Sequence, residues 1–404
     1  MSPASTGTTV TPRPVRVAMI GYAFMGAAHS MAWRNVHRAF ELPVAPEMSL
    51  LVGRDAEKVA AAARRLGWAQ TSTSWRDAVE RPDVDVVDIC TPGDSHAEIA
   101  LAALAAGKHV LCEKPLANSL AEAEQMAAAA AEARGAAMVG FTYRRVPALS
   151  LARRMIADGE LGTIRHVRAA YLQDWIVDPE FPLVWRLQAE HAGSGALGDI
   201  GAHIADLAQF LTGQRISAVS ALTRTFVPER PLPDDAAGLG ATPGSGRGPV
   251  TVDDAALFLA RFDGGAVGTF EATRFATGRK NALRIEVNGS DGSLAFDLEA
   301  LNELWYYDGR RPAAGEGFRR LLVTEPEHPY LEGWWPPGHS LGYDHAFTHQ
   351  MRDFLLAVAG AGRAEPDFAA GLQVQRVLDA VQRSATDGTW RAVPTSDRVA
   401  ATAG

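Results

Sequence analysis

Cysteine is scarce in this chain. Two thiols among 404 residues cannot build a disulfide framework. No apolar run approaches the roughly 18–20 residues that a membrane-spanning helix needs. A basic block is missing too. Asp and Glu number 47 against 39 Lys and Arg, for a formal charge of −8. That leaves no clustered cationic face for nucleic acid or for an anionic membrane surface. Residues 1–14, MSPASTGTTVTPRP, lack the apolar centre of a secretory signal and read as a flexible tail. These absences together predict a cytoplasmic protein with neither nucleic acid nor membrane as a partner.

What is present suits a folded enzyme-sized protein. Hydrophobic residues make up 47%, enough for a substantial core, and the length accommodates two or more domains at about 100–200 residues each. Short β-branched runs alternate with helical spacing from residue 15 to 146. Strands are expected at 15–20, 48–52, 84–90, 110–112 and 137–141. Helices are expected at 25–40, 55–66 with Asp55 as N-cap, 95–106, and 119–134 with a capping box at Ser119. Strands alternating with helices of this length make crossover units, hence an α/β doubly wound parallel sheet. The rhythm changes after Pro147. A helix at 149–158 leads to a long strand at 164–173, a helix at 199–212 and strand candidates at 216–227, 255–262, 266–275, 283–289, 293–297 and 304–307. Gly264-Gly265 and Asp291-Gly292 are hairpin signals, so this second sheet reads as mostly antiparallel. Helices at 342–359 and 366–386 close the chain. The expected division is a Rossmann domain at 15–146 and an α/β domain at 147–404. Five Pro and five Gly within the 23 positions of 228–250 predict a surface loop without regular structure.

Gly21, Ala23 and Gly26 follow the first strand and open the first helix, with Phe24 and Met25 between them. This is the dinucleotide fingerprint with Ala in its second glycine position. A tight turn, close backbone approach and helix–strand packing each call for a small residue there. Phosphates would then meet the unpaired N–H groups at the helix start. Gly53 stands where NAD enzymes place a ribose-binding acid, and Arg54 follows it. A missing carboxylate beside a guanidinium suits a 2′-phosphate, so NADP is favoured over NAD. The plainer reading makes Arg54 a solvated turn residue and Asp55 only a cap. Gly53 falls 32 residues after Gly21, and the segment 41–46 accounts for the extra length as a loop.

Ligands of parallel sheets lie outside the carboxyl ends of strands. Thr91, Pro92, Gly93 and His96 lie at one such end, and Glu113 and Lys114 at the next. Lys114 is the cation best placed to meet a reacting oxygen. Asp199 and His203 are four apart at a helix start, after a Gly-rich loop, and would share a face. Gln173, Asp174 and Trp175 end the 164–173 strand and offer contacts to hydroxyl groups.

GYAFMG, TPGDSH, EKP and GALGDIGAHIAD, in that order, resemble the glucose–fructose oxidoreductase, inositol dehydrogenase and MocA family over residues 15 to about 360. The FMG-x-AHS opening resembles the branch near levoglucosan dehydrogenase. The resemblance implies an N-terminal Rossmann domain and a C-terminal domain with a large open, mostly antiparallel sheet. The active site would lie between them, and sheet faces would pair into homodimers or homotetramers. It implies NAD(P)-dependent oxidation or reduction of a sugar or cyclitol carbinol. Residue by residue, Lys114 would stabilise the oxyanion, His203 would act as general base, and Asp199 would orient His203. Thr91, Pro92 and His96 would lie beside the nicotinamide, Trp185 and Arg186 would line the cofactor and substrate pocket, and Tyr343 would be a pocket tyrosine. Gly93 replaces the family's commoner Asn, which removes a polar contact there. Two other functions share this frame: a non-catalytic dinucleotide and sugar sensor, and a glycoside hydrolase that retains its NAD.

Several residues read more plainly. Cys90 and Cys112 end neighbouring strands and are expected as buried small hydrophobes. His345 and His349 have zinc-like spacing but no adjoining Glu motif, so hydrogen-bonded histidines without metal are expected. Trp334 and Trp335, followed by His339, would either stack on a sugar ring or plug an interface.

Overall fold

The computed structural model describes residues 12–237 and 240–394. Residues 1–11 of the expected tail lie outside the described residues. Arg13 and Pro14 are not tail, because they open the first strand. In chain order the first unit runs β1 (Arg13–Ile20), α1 (Phe24–Ala39), β2 (Val44–Val52), α2 (Ala56–Leu66), β3 (Gln70–Ser72), α3 (Trp75–Glu80), β4 (Val86–Ile89), α4 (His96–Ala105), β5 (His109–Cys112), α5 (Leu120–Glu132) and β6 (Ala137–Val139). The sheet order is β3-β2-β1-β4-β5-β6, with parallel pairing throughout. β4 is buried at every position, as expected where helices cover both faces, and Asp88 is its one charged residue. The strand order reverses between β1 and β4, which opens a crevice at their carboxyl ends. Two expectations need correction. The segment 41–46 is not all loop, because β2 starts at Val44. β3 and α3 were not anticipated, since QTS carries no apolar alternation.

The second unit continues with α6 (Pro147–Ala157), β7 (Ile164–Leu172), the short α7 (Ala189–Ala192), α8 (Ala202–Thr212), β8 (Ile216–Arg224), β9 (Glu229–Ala237), β10 (Gly240–Pro249), β11 (Ala255–Phe262), β12 (Val267–Thr273), β13 (Ala282–Gly289), β14 (Gly292–Asp297), β15 (Glu303–Asp308), β16 (Arg319–Leu322), α9 (Tyr343–Val358), α10 (Phe368–Asp387) and β17 (Arg391–Ala392). Nine strands form one sheet in the order β16-β15-β14-β13-β7-β12-β11-β8-β17. Its pairings are antiparallel except β7 with β12. Helices α6, α8 and α10 pack on one face. The other face leaves Leu257, Leu259, Val267 and Trp305 exposed. α9 returns to the first unit, where Phe347, Met351 and Phe354 join the core beneath α1.

The described part of 228–250 is paired strand, not an irregular loop: β9 pairs antiparallel with β10 in a separate two-stranded sheet. A two-stranded ribbon has two free edges, so a proline N–H need not be supplied on those sides. Register shifts at Thr242/Pro243 and Pro243/Arg247 absorb the remaining mismatch. The ribbon is pinned by the fully buried Arg230, which donates to the carbonyls of Ile176 (2.6 Å), Asp178 (2.7 Å) and Phe181 (3.2 Å). Among the described residues no helix is long and apolar enough to cross a membrane.

Candidate active site

A cavity of about 350 Å³ lies where the two units meet. Its coenzyme end is built by backbone. Gly21 has φ +99°, and a Cβ there would stand 2.6 Å from the Cys90 carbonyl oxygen. A Cβ on Gly26 would stand 2.2 Å from the Gly21 oxygen. Any larger residue would break the turn. α1 has Ala23 as its N-cap with no side-chain bond, and no acid in its first turn. Its first N–H groups therefore stay available to an anion. Ala23, Phe24 and Met25 line the cavity. The turn fits a dinucleotide pyrophosphate.

At the end of β2 a Cβ on Gly53 would stand 2.0 Å from the Tyr22 ring, so Tyr22 fills the room an acid would need. Arg54 is exposed and has no partner among the described residues. Asp55 caps α2 by accepting from the Lys58 N–H at 2.9 Å.

Thr91, Pro92, Gly93 and His96 line the cavity at the end of β4. The His96 ring bridges two strand ends, with Nδ1 3.1 Å from the Pro115 oxygen and Nε2 3.0 Å from the Thr91 oxygen. A Cβ on Gly93 would meet Asn118 Oδ1 at 2.2 Å. The Asn118 carboxamide thus occupies the space beside Gly93 and restores a polar group there, and its Nδ2 donates to the His191 carbonyl at 2.8 Å.

Lys114 and Asp199 meet across the cleft. Lys114 Nζ donates to the Asp199 carbonyl at 2.6 Å and to Asp199 Oδ1 at 3.4 Å. The buried Arg274 stands 3.6 Å from Asp199 Oδ2. Burial alone would raise the Asp199 pKa, but Lys114, Arg274 and Arg186 hold it down to about 2. His203 behaves oppositely: burial and the Lys114 charge push it well below 6.5, so the imidazole is neutral. No hydrogen bond joins Asp199 to His203 among the described residues, although the Asp199 charge acts on the ring and partly offsets the lowering of its pKa. Leu197–Gly201 is a π-turn ahead of α8, which breaks regular four-residue spacing, and the carboxylate is engaged by cations. His203 is held instead by the rings of Tyr143 (4.7 Å), Tyr171 (5.9 Å) and Phe141 (6.1 Å). It makes no hydrogen bond among the described residues, which leaves its nitrogens open to a ligand.

Trp175, Trp185, Arg186 and Tyr343 all line the cavity, as does Glu113. Trp175 Nε1 donates to Gln173 Oε1 at 3.0 Å, and the Arg186 guanidinium lies 4.3 Å over the Trp185 ring. Asp174 is a correction. It does not line the cavity; it accepts from the Gly278 N–H (2.9 Å) and pairs with Lys280 (2.8 Å). Lys280 is the member of that pair that reaches the cavity.

Sequence reasoning missed Tyr143, Tyr171, Asn118, Asn281 and Arg274. The Tyr143 and Tyr171 hydroxyls are 2.6 Å apart, and Asn281 Oδ1 accepts from Tyr171 (2.7 Å) and Gln173 (2.9 Å). Tyr171 was accessible, since it lies two residues before Gln173 and so shares its face of the strand. Arg274 carried a weaker signal, a lone charge just beyond the apolar alternation of β12.

Cys90 and Cys112 are free and buried. Both ring nitrogens of His349 are taken: Nδ1 donates to the Arg145 carbonyl (2.9 Å), and Nε2 accepts from Trp334 Nε1 (2.7 Å). Burial lowers its pKa to about 3. His345 Nδ1 accepts the Gly342 N–H at 3.0 Å. Trp334 packs on Phe40, His345 and His349, so it is the interface plug of the two expected readings. Trp335 and His339 are exposed, and neither lines the cavity.

A six-stranded dinucleotide sheet with a charged cleft against a large antiparallel sheet defines the class: an NAD-binding oxidoreductase. Residues 15–141 match the oxidoreductase family with NAD-binding Rossmann fold, and residues 149–295 match the GFO/IDH/MocA C-terminal domain. The chain belongs to the GFO/IDH/MocA family. Levoglucosan dehydrogenase from Pseudarthrobacter phenanthrenivorans is 43% identical over 94% of this chain and 98% of its own. Inositol 2-dehydrogenase from Rhizobium meliloti is 26% identical over 77% of this chain and 82% of its own. Among solved structures, an oxidoreductase domain protein from Kribbella flavida is 63% identical with TM-score 0.90, covering 95% of this chain and 100% of that one. Levoglucosan dehydrogenase in complex with NADH and levoglucosan is 42% identical with TM-score 0.89, at the same coverages.

Proposed function

We propose that this protein is an NAD(P)-dependent dehydrogenase of a sugar or cyclitol carbinol, with an anhydrosugar of the levoglucosan type as first candidate. The observation that carries the reading is the pairing of an ammonium, Lys114, with a neutral imidazole, His203, in one cavity beside the Gly21–Gly26 turn. Asymmetric protonation of this kind separates base from oxyanion stabiliser. The 43% identity to levoglucosan dehydrogenase supports the substrate class.

A bound nicotinamide dinucleotide supplies the hydride acceptor. His203, uncharged and unbonded, takes the proton of the substrate hydroxyl on an open ring nitrogen. Lys114 donates a hydrogen bond to the same oxygen as negative charge develops on it. Asp199 fixes Lys114 rather than His203, and Arg274 holds Asp199 from behind. The rings of Trp175, Trp185 and Tyr343 exclude water and offer flat apolar faces to sugar C–H groups. Use of NADP as well as NAD is supported by the absent acid at Gly53 and by Arg54, which has no partner among the described residues. The same reading divides the chain into a coenzyme unit, 15–146, and a substrate unit, 147–404. It places the enzyme in the cytoplasm, where Cys90 and Cys112 stay reduced. A second copy of the chain would cover the bare face of the nine-stranded sheet.

The test is reduction of NAD⁺ and of NADP⁺ by purified protein against levoglucosan, inositols and free pyranoses. Absorbance of the reduced coenzyme should rise with at least one of them. No rise with any would overturn the reading, and product formed without net reduction would make the protein a coenzyme-retaining hydrolase.

A further inference from the structure

Beneath the coenzyme turn lies a buried charge cluster that takes no part in the chemistry above. His29 of α1 and Asp88 of β4 are 0% exposed, and Glu113, which follows β5, is 4% exposed. His29 Nδ1 stands 3.0 Å from both Asp88 oxygens, and Nε2 stands 3.0 Å from Glu113 Oε1. Trp33 Nε1 donates to Asp88 Oδ2 at 2.7 Å. The other Glu113 oxygen accepts the Lys114 backbone N–H at 3.1 Å. Gly140 closes the remaining side, since a Cβ there would stand 2.7 Å from Glu113 Oε1.

An ionised carboxylate only accepts hydrogen bonds. Serving one carboxylate from each ring nitrogen requires a proton on both, which makes His29 an imidazolium. A neutral ring would leave one nitrogen lone pair facing a carboxylate where water cannot intervene, an arrangement that costs far more than it returns. The groups facing the ring are consistent with this. Asp88 and Glu113 each set carboxylate oxygens against one ring nitrogen. The Cys90 thiol lies 3.3 Å from Nδ1. From α9 come the Phe347 ring at 5.6 Å and the Tyr343 hydroxyl, an uncharged group whose pKa is raised further by desolvation of its oxygen. Burial would lower the His29 pKa, but Asp88, by charge and hydrogen bond, outweighs burial and leaves it well above 6.5.

We propose that His29 is a positioning residue for Lys114: as an imidazolium clamped between Asp88 and Glu113, it fixes the carboxylate that holds the Lys114 peptide and so sets the reach of the ammonium into the cleft. The helix that receives the pyrophosphate at its first turn thereby also anchors the lysine. This inference rests on the role proposed for Lys114.

Two experiments separate it from that reading. NMR of the full chain carrying ¹⁵N-histidine should show an imidazole with protons on both nitrogens well above the ordinary histidine titration range that is present in the wild type and lost in His29→Gln. A neutral imidazole at His29 in the wild-type protein overturns the proposal, whatever substrate the enzyme uses. On a substrate that the wild type turns over, His29→Gln should lower kcat by about 10-fold and leave the coenzyme KM within about 2-fold. Combined with Lys114→Ala, it should cost nothing further, because both changes remove the same function. Losses that multiply in the double variant overturn the proposal. Glu113→Gln carries the same cycle should His29→Gln not fold. A wild-type protein idle on every sugar would sink the proposed activity but leave the NMR result decisive for the clamp.

Discussion

Arg54 is an exposed guanidinium with no partner among the described residues, and its neighbour Gly53 is kept small by the Tyr22 ring. Arg54→Ala should therefore raise KM for NADP⁺ by about 10-fold, the loss of one charge-assisted phosphate contact, with KM for NAD⁺ little changed. Equal effects on both coenzymes would remove Arg54 from 2′-phosphate recognition. His203 predicts the acid limb of activity. Its pKa lies well below 6.5 through burial and the Lys114 charge, so the base stays deprotonated at neutral pH and is lost only as pH falls through that lowered value. In a profile of kcat/KM, an acid limb at or above 6.5 would contradict this. The two residues also mark how much of the site can be read from sequence. Gly21, Gly26, Lys114, Asp199 and His203 announce themselves through backbone need and spacing. Arg274 and Asn118 do not, because their value comes from what the fold brings to them: the Asp199 carboxylate for one, the space beside Gly93 for the other.

Elements whose residues face one environment along their whole length were legible. β4 is β-branched and apolar apart from Asp88 because it is buried on both faces, and α5 shows its start through the Ser119 capping box. β9 and β10 were not, because Pro and Gly density argues against regular structure and only the ribbon's free edges and bulges allow it. Their stability depends on Arg230, whose guanidinium donates to three carbonyls. Arg230→Met should cost about 3 kcal/mol and make the 228–250 ribbon the first site of limited proteolysis. Unchanged denaturation and cleavage would show the ribbon to be held by other contacts. α9 carries a pH signature. His349 stays neutral in the folded chain down to about 3, whereas an unfolded histidine takes its proton near 6.5. The unfolded state then binds more protons in that window, so stability should fall as pH drops from 6.5 toward 3. Tm measured across that range should decline less steeply in His349→Gln than in the wild type.

At the scale of the molecule, the first sheet was legible because its alternation with helices is a local pattern, and the second sheet because hairpins advertise themselves. The joining of the two was not, since α9 follows the second sheet in the chain yet packs on the first. The uncovered face of the nine-stranded sheet presents Leu257, Leu259, Val267 and Trp305 to solvent, an apolar patch of the kind that marks an interface. Leu257→Lys combined with Leu259→Lys should shift the protein from dimer or tetramer to monomer in sedimentation, and a wild type that sediments as a monomer would refute a partner there. The proposed reaction turns on the meeting of Lys114, which follows β5, and His203, on α8, at one hydroxyl. It is tested most directly by single-turnover reduction of bound coenzyme in Lys114→Ala and His203→Ala. Each should slow the step by about 100-fold or more while binding coenzyme as the wild type does. A wild-type rate in either variant would contradict the account.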